Sequence, residues 1–379
     1  MGKSEELAGI LEQHRRWLNS GRKSGKCADL SGANLNGVDF SGVDLSGAAM
    51  HGVSLEGANL SGARLVHTDL RDASLRGACL VRANLLLTDF TAADLRGADL
   101  GDAMPDAPDQ ELGKTPRGPR FKDADLRGAN LRGAYCYISD FSGASLSDAV
   151  LAGANLERAN LSSNDLTTID LSGANLANAN LRSSDLAGAD LRGAVLTHAN
   201  LHSATLSGAD VSGASMQSAN FADAKVDGIR YDRKARFRGI RVGGCYGSSR
   251  FRRYAEDQDY IEEFKEAHPV YYRLWLVLTD CGRSMSRVVI WSLALAAFFG
   301  LIFFALGEDA FVIAQKDSLG WGPFTMFYYS LVTFTTLGFG DITPRTPLAA
   351  AFVMLEVVVG YMMLGILISI LATKVARRS

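Results

Sequence analysis

The sequence predicts a two-part chain: a β-solenoid rod built from five-residue sides, then an all-α membrane domain with two spans. Three observations carry this. Every fifth residue from Leu30 to Leu100 is apolar, and the series resumes one residue out of step at Phe121 and runs to Val226; of these 37 positions 27 are Leu and 5 are Phe. The residue two places earlier is Ala in 27 of the 37, as in Ala33–Asn34–Leu35 and Ala189–Asp190–Leu191. Residues 288–306 contain no charge and residues 348–373 only Glu356, with a shorter apolar stretch, 321–334, between them.

Period five fits neither regular element. On a helix it advances ~140° at each step and paints no stripe; on a strand an odd period alternates faces. A chain that turns a corner every five residues resolves the conflict, with Leu and the smaller Ala pointing inward on each side. Four sides close a square coil of 20 residues, and stacked coils pair their backbones with their neighbours. Glycine after Ser or Arg, as at Ser31–Gly32 and Arg192–Gly193, suits the corners. The pattern A-[DN]-L-x-x over residues 28–226 resembles the pentapeptide-repeat family, and the resemblance implies a right-handed quadrilateral β-helix.

The expected organisation is a capping helix in residues 1–25, the β-helix in 26–227, a connector with interfacial helices in 228–285 and the membrane domain in 286–379. Residues 4–18 supply the cap, with Leu7, Ile10, Leu11 and Leu18 on one side. Residues 101–120 break the repeat and hold four of the eight prolines, so they read as an extruded loop, more mobile than functional. In the connector, residues 254–267 read as an acidic helix ended by Pro269, and 270–280 as an interfacial helix.

The net charge of −2 excludes a strongly basic nucleic-acid binder, and no nucleic-acid partner is expected. Charge is uneven: residues 26–227 carry 16 Lys/Arg against 25 Asp/Glu, and residues 227–253 carry 9 against 2. Some pentapeptide-repeat proteins mimic DNA with an acidic rod, but Asp at an outward corner comes with the motif. The basic stretch Arg230 to Arg253 suits anionic lipid headgroups or an acidic neighbouring surface. Five scattered cysteines without C-x-x-C argue against zinc or a disulfide framework and for reduced thiols. The polar N-terminus is unlike a cleaved signal peptide. No nucleotide fingerprint or nucleophile–base set is present, so neither an enzyme nor a cofactor is expected.

In the membrane domain, spans 288–306 and 348–373 flank a half-helix, 321–334, too short to cross and therefore re-entrant. It ends in Thr335–Thr336–Leu337–Gly338–Phe339–Gly340–Asp341. A dehydrated cation needs rings of carbonyl oxygens, and alternating glycines let successive carbonyls aim at one axis. This stretch resembles the T-V-G-Y-G-D selectivity filter of potassium channels, with Leu337 for Val and Phe339 for Tyr, and residues 286–376 resemble two-transmembrane bacterial potassium channels. The resemblance implies K+ at the carbonyls of Thr336, Leu337, Gly338 and Phe339, with Gly340 closing the filter and Thr335 and Asp341 flanking it. It also implies a hinge at Gly360, with Gly365 competing; a close-packing glycine is the plain alternative at Gly360. Ile368 and Ala372 are expected to face the axis as a gate. Glu356 should face protein, at the back of the filter, or be protonated.

Arg283 and Arg287 precede the first span and Lys374, Arg377 and Arg378 follow the second, whereas loop 307–320 is acidic. The positive-inside rule therefore places both termini in the cytoplasm, and the resemblance to bacterial channels implies a multi-pass protein of the inner membrane. One filter strand per chain implies a homotetramer. The expectation is a passive potassium-selective channel whose repeat domain regulates gating, with membrane lipid at the connector and an unidentified regulator of the rod. A membrane-anchored scaffold whose rod binds a protein partner is the alternative.

Overall fold

The structure, a computed structural model, describes residues 3–104, 117–314, 320–335 and 337–376. It divides into two compact units, Met1–Glu262 and Glu263–Ser379.

In the first unit the period-five residues form a stacked coil. Parallel bridges join each fourth side, Asp29 to Ala49, Asn34 to Ser54, Asp39 to Asn59 and Asp44 to Arg64, so successive turns are 20 residues apart. The N–H of Leu30 donates to Ala49 O at 2.7 Å, and the N–H of Ala49 donates back to Ala28 O at 2.9 Å. Every side thus exchanges bonds with the coil above and below, while Leu and Ala fill one continuous core; Leu55, Leu126, Leu166 and Leu206 have no exposed surface. Each such leucine contributes ~1.5–3 kcal/mol by leaving water. The corner residue is left-handed, φ 66° at Gly32 and 55° at Asp72, which accounts for the glycines at that place in the repeat.

The outward Asp or Asn has a local task. The Oδ1 of Asp29, Asp170 and Asp210 accepts the N–H two residues on, at 3.1, 3.0 and 3.0 Å, and so fastens the corner. Hydrogen bonds from Ser31 hold the Asp29 carboxyl below its ordinary range, and the Arg96 guanidinium does the same to Asp94. The rod's acidity therefore belongs to its turns.

Two boundaries differ from those expected. Bridged partners are 31 apart at Asp89–Arg120, Asp94–Asp125 and Asp99–Asn130, against 20 in the coils before and directly after, so one coil carries eleven extra residues. Gly101 O accepts from Arg82, the N–H of Asp102 donates to Arg132 O, and the N–H of Gly118 donates to Tyr137 O. The ends of the expected loop 101–120 are therefore coil, and its centre, 105–116, is outside the described residues. Eleven is one more than two repeats, which is the one-residue phase slip.

The β-helix also continues past residue 227. Arg230 bridges Asp210, and Arg236, Arg241 and Tyr246 bridge Ser215, Asn220 and Lys225 after one inserted residue. Ile229, Ala235, Phe237, Ile240, Val242 and Cys245 fill the core positions, so residues 228–246 are a last coil rather than connector. Arginine at the outward place hides the motif there, because Arg230, Arg236 and Arg241 stand where the repeat carries Asp or Asn.

Helices close both ends of the core. At the first end α1 (Lys3–Asn19) packs Leu7, Ile10 and Leu11 against it. His14, 1% exposed and stacked on Trp17, accepts the Ala28 N–H on Nδ1 at 3.0 Å. At the other, α2 (Ser249–Ala267) starts five residues before the expected acidic helix and buries Phe251 and Ala255. Its carboxylates replace the carbonyls of a missing next coil: Glu262 accepts the Phe237 N–H at 3.2 Å and Asp259 the Gly239 N–H at 2.6 Å. This satisfies part of an open edge that would otherwise template aggregation.

Burial pushes the His14 imidazole below its ordinary value, Asp44 opposing part of the shift. The folded state favours the neutral ring, so its stabilisation is complete above the unfolded pKa of ~6.5 and is lost as pH falls from there toward the depressed folded value. Hydrogen exchange along α1, corrected for intrinsic rates, is expected to quicken on acidification from about pH 7 to 5. In His14→Gln that dependence should vanish; a wild-type cap indifferent to pH would refute the account.

All five cysteines are free. Burial raises Cys136 to about 12 and Cys245 to about 11, which keeps both thiols unreactive.

In the second unit α3 (Pro269–Thr279) reverses into α4 (Met285–Leu306) through Asp280, Cys281 and Gly282, all left-handed. The Arg287 guanidinium donates to Leu276 O at 2.9 Å and the Trp291 indole to Val277 O at 3.2 Å, so the first turns of α4 satisfy the last carbonyls of α3. Then come strand β1 (Phe311–Ile313), the short helix α5 (Pro323–Phe334), strand β2 (Ile342–Pro344) and α6 (Pro347–Ala376). β1 and β2 pair antiparallel with Val312 opposite Thr343. Among the described residues two helices are long and apolar enough to span a bilayer: α4, with mean hydropathy 2.5, and residues 347–374 of α6, with 2.3.

Candidate functional site

The site is the loop that leaves α5. Twelve residues make α5 about 18 Å long, too short to cross hydrocarbon. Thr325, Met326, Tyr329, Ser330, Val332, Thr333 and Phe334 are buried, so the helix is held by protein on most of its length. Gly300 of α4 sits against its backbone: a Cβ there would be 2.9 Å from Phe327 Cα and 3.2 Å from Phe327 N. A Cβ at Gly360 of α6 would collide with the Phe334 carbonyl oxygen and lie 3.2 Å from its carbon. Two glycines on two spans thus let α5 lie flush between them.

A polar node ties the same three helices. The Ser330 hydroxyl donates to Ala296 O of α4 at 2.6 Å and meets Glu356 Oε1 of α6. Glu356 has no exposed surface, so it faces protein as expected. The sequence offered a signal for this pair: a serine and a glutamate, each in an otherwise apolar segment, must find a partner inside the membrane.

The loop opens at Thr335, whose N–H and hydroxyl both donate to Leu331 O, at 3.0 and 2.7 Å. The negative end of the α5 dipole is therefore at the loop entrance, where it favours a cation. Thr336 is outside the described residues. The N–H of Leu337 donates to Val332 O at 3.0 Å. Gly338 and Gly340 are left-handed, φ 51° and 75°, so positive φ recurs at every second residue around Phe339. Leu337 and Phe339 are 63% and 65% exposed, so within one chain the loop lacks an outer wall.

At its far end Asp341 is the anchor. Its Oδ2 accepts the Tyr328 hydroxyl at 3.0 Å, its Oδ1 the Ile342 N–H at 3.1 Å, and its backbone O the Ala314 N–H at 2.8 Å. Asp341 thus fastens the loop to α5 and to the β1–β2 ribbon. A hollow of about 360 Å3 lies beside Gly338, Phe339, Gly340 and Asp341, walled by Tyr329 and Tyr361. Tyr328 was not legible in advance, because one aromatic among Phe327, Tyr328 and Tyr329 has no distinguishing context.

The residues expected as hinge and gate are spread along α6. Of these, Gly360 lies against the end of α5, where a Cβ would meet the Phe334 backbone. Gly365 has open space around a Cβ, and Gly365, Ile368 and Ala372 are exposed farther along the helix.

Residues 279–377 match the family model described as ion channel, and stretches between residues 26 and 230 match the pentapeptide-repeat model, in 8 copies. Two-pore potassium channel 3 of Arabidopsis thaliana is 31% identical over 91 residues, 24% of this chain and 20% of that protein. The chain therefore spans about a fifth of that relative's length. Among solved structures, HetL, a pentapeptide repeat protein involved in heterocyst differentiation regulation from the cyanobacterium Nostoc, is 28% identical, with 61% of this chain and 92% of that chain covered and a TM-score of 0.26. A thylakoid-lumen pentapeptide repeat protein from Arabidopsis thaliana is 27% identical, with 35% and 70% covered and a TM-score of 0.21. The chain joins pentapeptide repeats, within residues 26–230, to a domain that matches the ion-channel family, residues 279–377.

Proposed function

We propose that four copies of this chain surround a potassium-selective pore that conducts passively across the inner membrane. The observation that carries the reading is the loop 337–341: alternate left-handed glycines, an aromatic between them, and an aspartate tied to the short helix from which the loop starts. Carbonyls of Thr336, Leu337, Gly338 and Phe339 would replace the water of K+, with Gly340 closing the row. One such strand cannot encircle an ion. Its exposed Leu337 and Phe339, with the exposed Tyr361 and Ile368 on α6, favour a homotetramer in which neighbours supply the missing walls.

In this reading both termini are cytoplasmic, the coil is right-handed and four-sided, and α3 lies in the interface with its exposed Val270, Tyr271, Leu274 and Val277 toward lipid. The repeat domain biases gating through α3, which is bonded to the outer helix α4 by Arg287 and Trp291. Ile368 and Ala372 form the constriction, and bending takes place at Gly360 or Gly365.

Planar-bilayer recording tests the core of this. Gly340→Asp is expected to abolish K+ preference over Na+, because φ 75° suits glycine and the outer carbonyl loses its aim. An unchanged bi-ionic reversal potential would refute the filter assignment. In the same recordings a glycine–serine insert between Ala267 and Val270 should change open probability and spare unitary conductance; the opposite result would put the rod in the permeation path.

A further inference from the structure

Elsewhere in the rod most arginines find carboxylates on their own or a neighbouring coil, although no ion pair among the described residues uses the exposed Arg82, Arg117 or Arg182. Arg71 pairs with Asp69 at 2.7 Å, Arg127 with Asp125 at 2.6 Å, and Arg96 with Asp94 at 2.7 Å. The last coil, residues 228–246, departs from this. Its outward positions hold Arg230, Arg236 and Arg241 on three consecutive sides and Tyr246 on the fourth. Arg230 still reaches Asp210, at 3.5 Å. Asp232 is the coil's one acid, and its Oδ1 is taken by the N–H groups of Gly213, Lys234 and Ala235. On α2, Asp259 and Glu262 are turned onto the coil's backbone. Arg233, Lys234, Arg236, Arg241, Arg250 and Arg253 are exposed, and no ion pair among the described residues uses them.

Six such cations grouped on the last coil and the start of α2, where elsewhere in the rod unpaired arginines stand singly, mark a surface for an external polyanion. Because they occupy several sides, they make a collar rather than a face, and no single docked orientation is required. The chain fixes which polyanion is at hand: the first span begins at Met285, fewer than 40 residues beyond Tyr246, so the collar is tethered to a bilayer. We infer that the last coil is an electrostatic docking surface for anionic phospholipid headgroups. The inference rests on the membrane reading above and deepens its lipid partner, moving the contact from a flexible connector to a folded coil.

The test uses the full chain in phosphatidylcholine nanodiscs, which shield the spans, co-sedimented with a second population of vesicles. Wild type is expected to sediment with vesicles containing phosphatidylglycerol, to ignore vesicles of phosphatidylcholine alone, and to release as salt rises. Arg233→Gln/Arg236→Gln/Arg241→Gln should weaken binding roughly a hundred-fold. The paired set Arg71→Gln/Arg127→Gln/Arg192→Gln, which removes equal charge, should change it little. Equal loss in both triple variants would reduce the effect to net charge and overturn the inference, as would binding that survives the first triple or never exceeds that to neutral vesicles. Circular dichroism melts of each variant separate lost docking from lost folding. Potassium flux from the same preparations is read independently: binding without flux leaves the collar standing and removes the channel reading, and flux without binding does the reverse.

Discussion

Gly360→Ala is expected to abolish conduction and lower the melting temperature of the solubilised channel, whereas Gly365→Ala leaves both near wild type. The two glycines are five residues apart on α6, yet a Cβ at Gly360 meets the Phe334 carbonyl at the base of the loop and one at Gly365 meets nothing within 4 Å. The contacted atoms are backbone at the end of a buried helix and cannot rotate aside. Overpacking of that kind costs ~1–3 kcal/mol per chain, and in the proposed tetramer the displacement would be repeated four times around the pore. At Gly365 the added methyl gains helix propensity, about 1 kcal/mol. Flux assays and thermal melts of the two variants decide the matter. A conducting Gly360→Ala channel beside a silent Gly365→Ala channel would place the critical glycine at Gly365 and its role in bending.

Leu166→Asp should unfold the repeat domain. Leu166 has no exposed surface and lies in a core that runs uninterrupted through its neighbours. An unpaired carboxylate there costs several kcal/mol, and coils on either side lose a packing partner at once. Leu161→Asp should act alike. Ser162, one place outward from Leu161, bonds only Asn160, at 2.8 Å to its Oδ1, so Ser162→Ala stays within ~0.5 kcal/mol of wild type. Far-ultraviolet melts of the full chain measure all three. A larger loss at Ser162 than at Leu161 would mean that the inward register is wrong.

The rod was legible because its rule is local and repeated: a leucine every five residues has one geometric solution, and 37 instances leave no freedom in the register. Even the interruption was encoded, since a shift of one in a period of five is what an insertion of eleven leaves behind. The membrane grammar was legible for a related reason, that the length of an apolar run is compared with the fixed thickness of hydrocarbon. The stretch 335–341 was legible because glycines at alternate places readily adopt the left-handed backbone found at Gly338 and Gly340.

What failed was wherever one signal was overwritten by another. The last coil keeps the inward apolar residues, but Arg230, Arg236 and Arg241 replace the outward Asp or Asn, and the basic charge suggested a linker. The first five residues of α2 escaped notice because Arg250, Arg252 and Arg253 surround the Phe251 that closes the core.

By itself, then, the sequence determined the five-residue side, the inward leucines, two spans with a half-helix between them, and the glycine-rich loop. Each follows from chain-local periodicity or from the polarity of a continuous segment. Only the tertiary structure decided where the coil ends, that His14, Asp259 and Glu262 complete its open edges, that Ser330 and Glu356 meet across 26 residues, and that Tyr328 holds Asp341. Those are pairings between single polar groups far apart in the chain. A lone donor or acceptor has no period, and its partner is fixed only when the packed backbone brings one acceptable group within bonding distance and shuts out water.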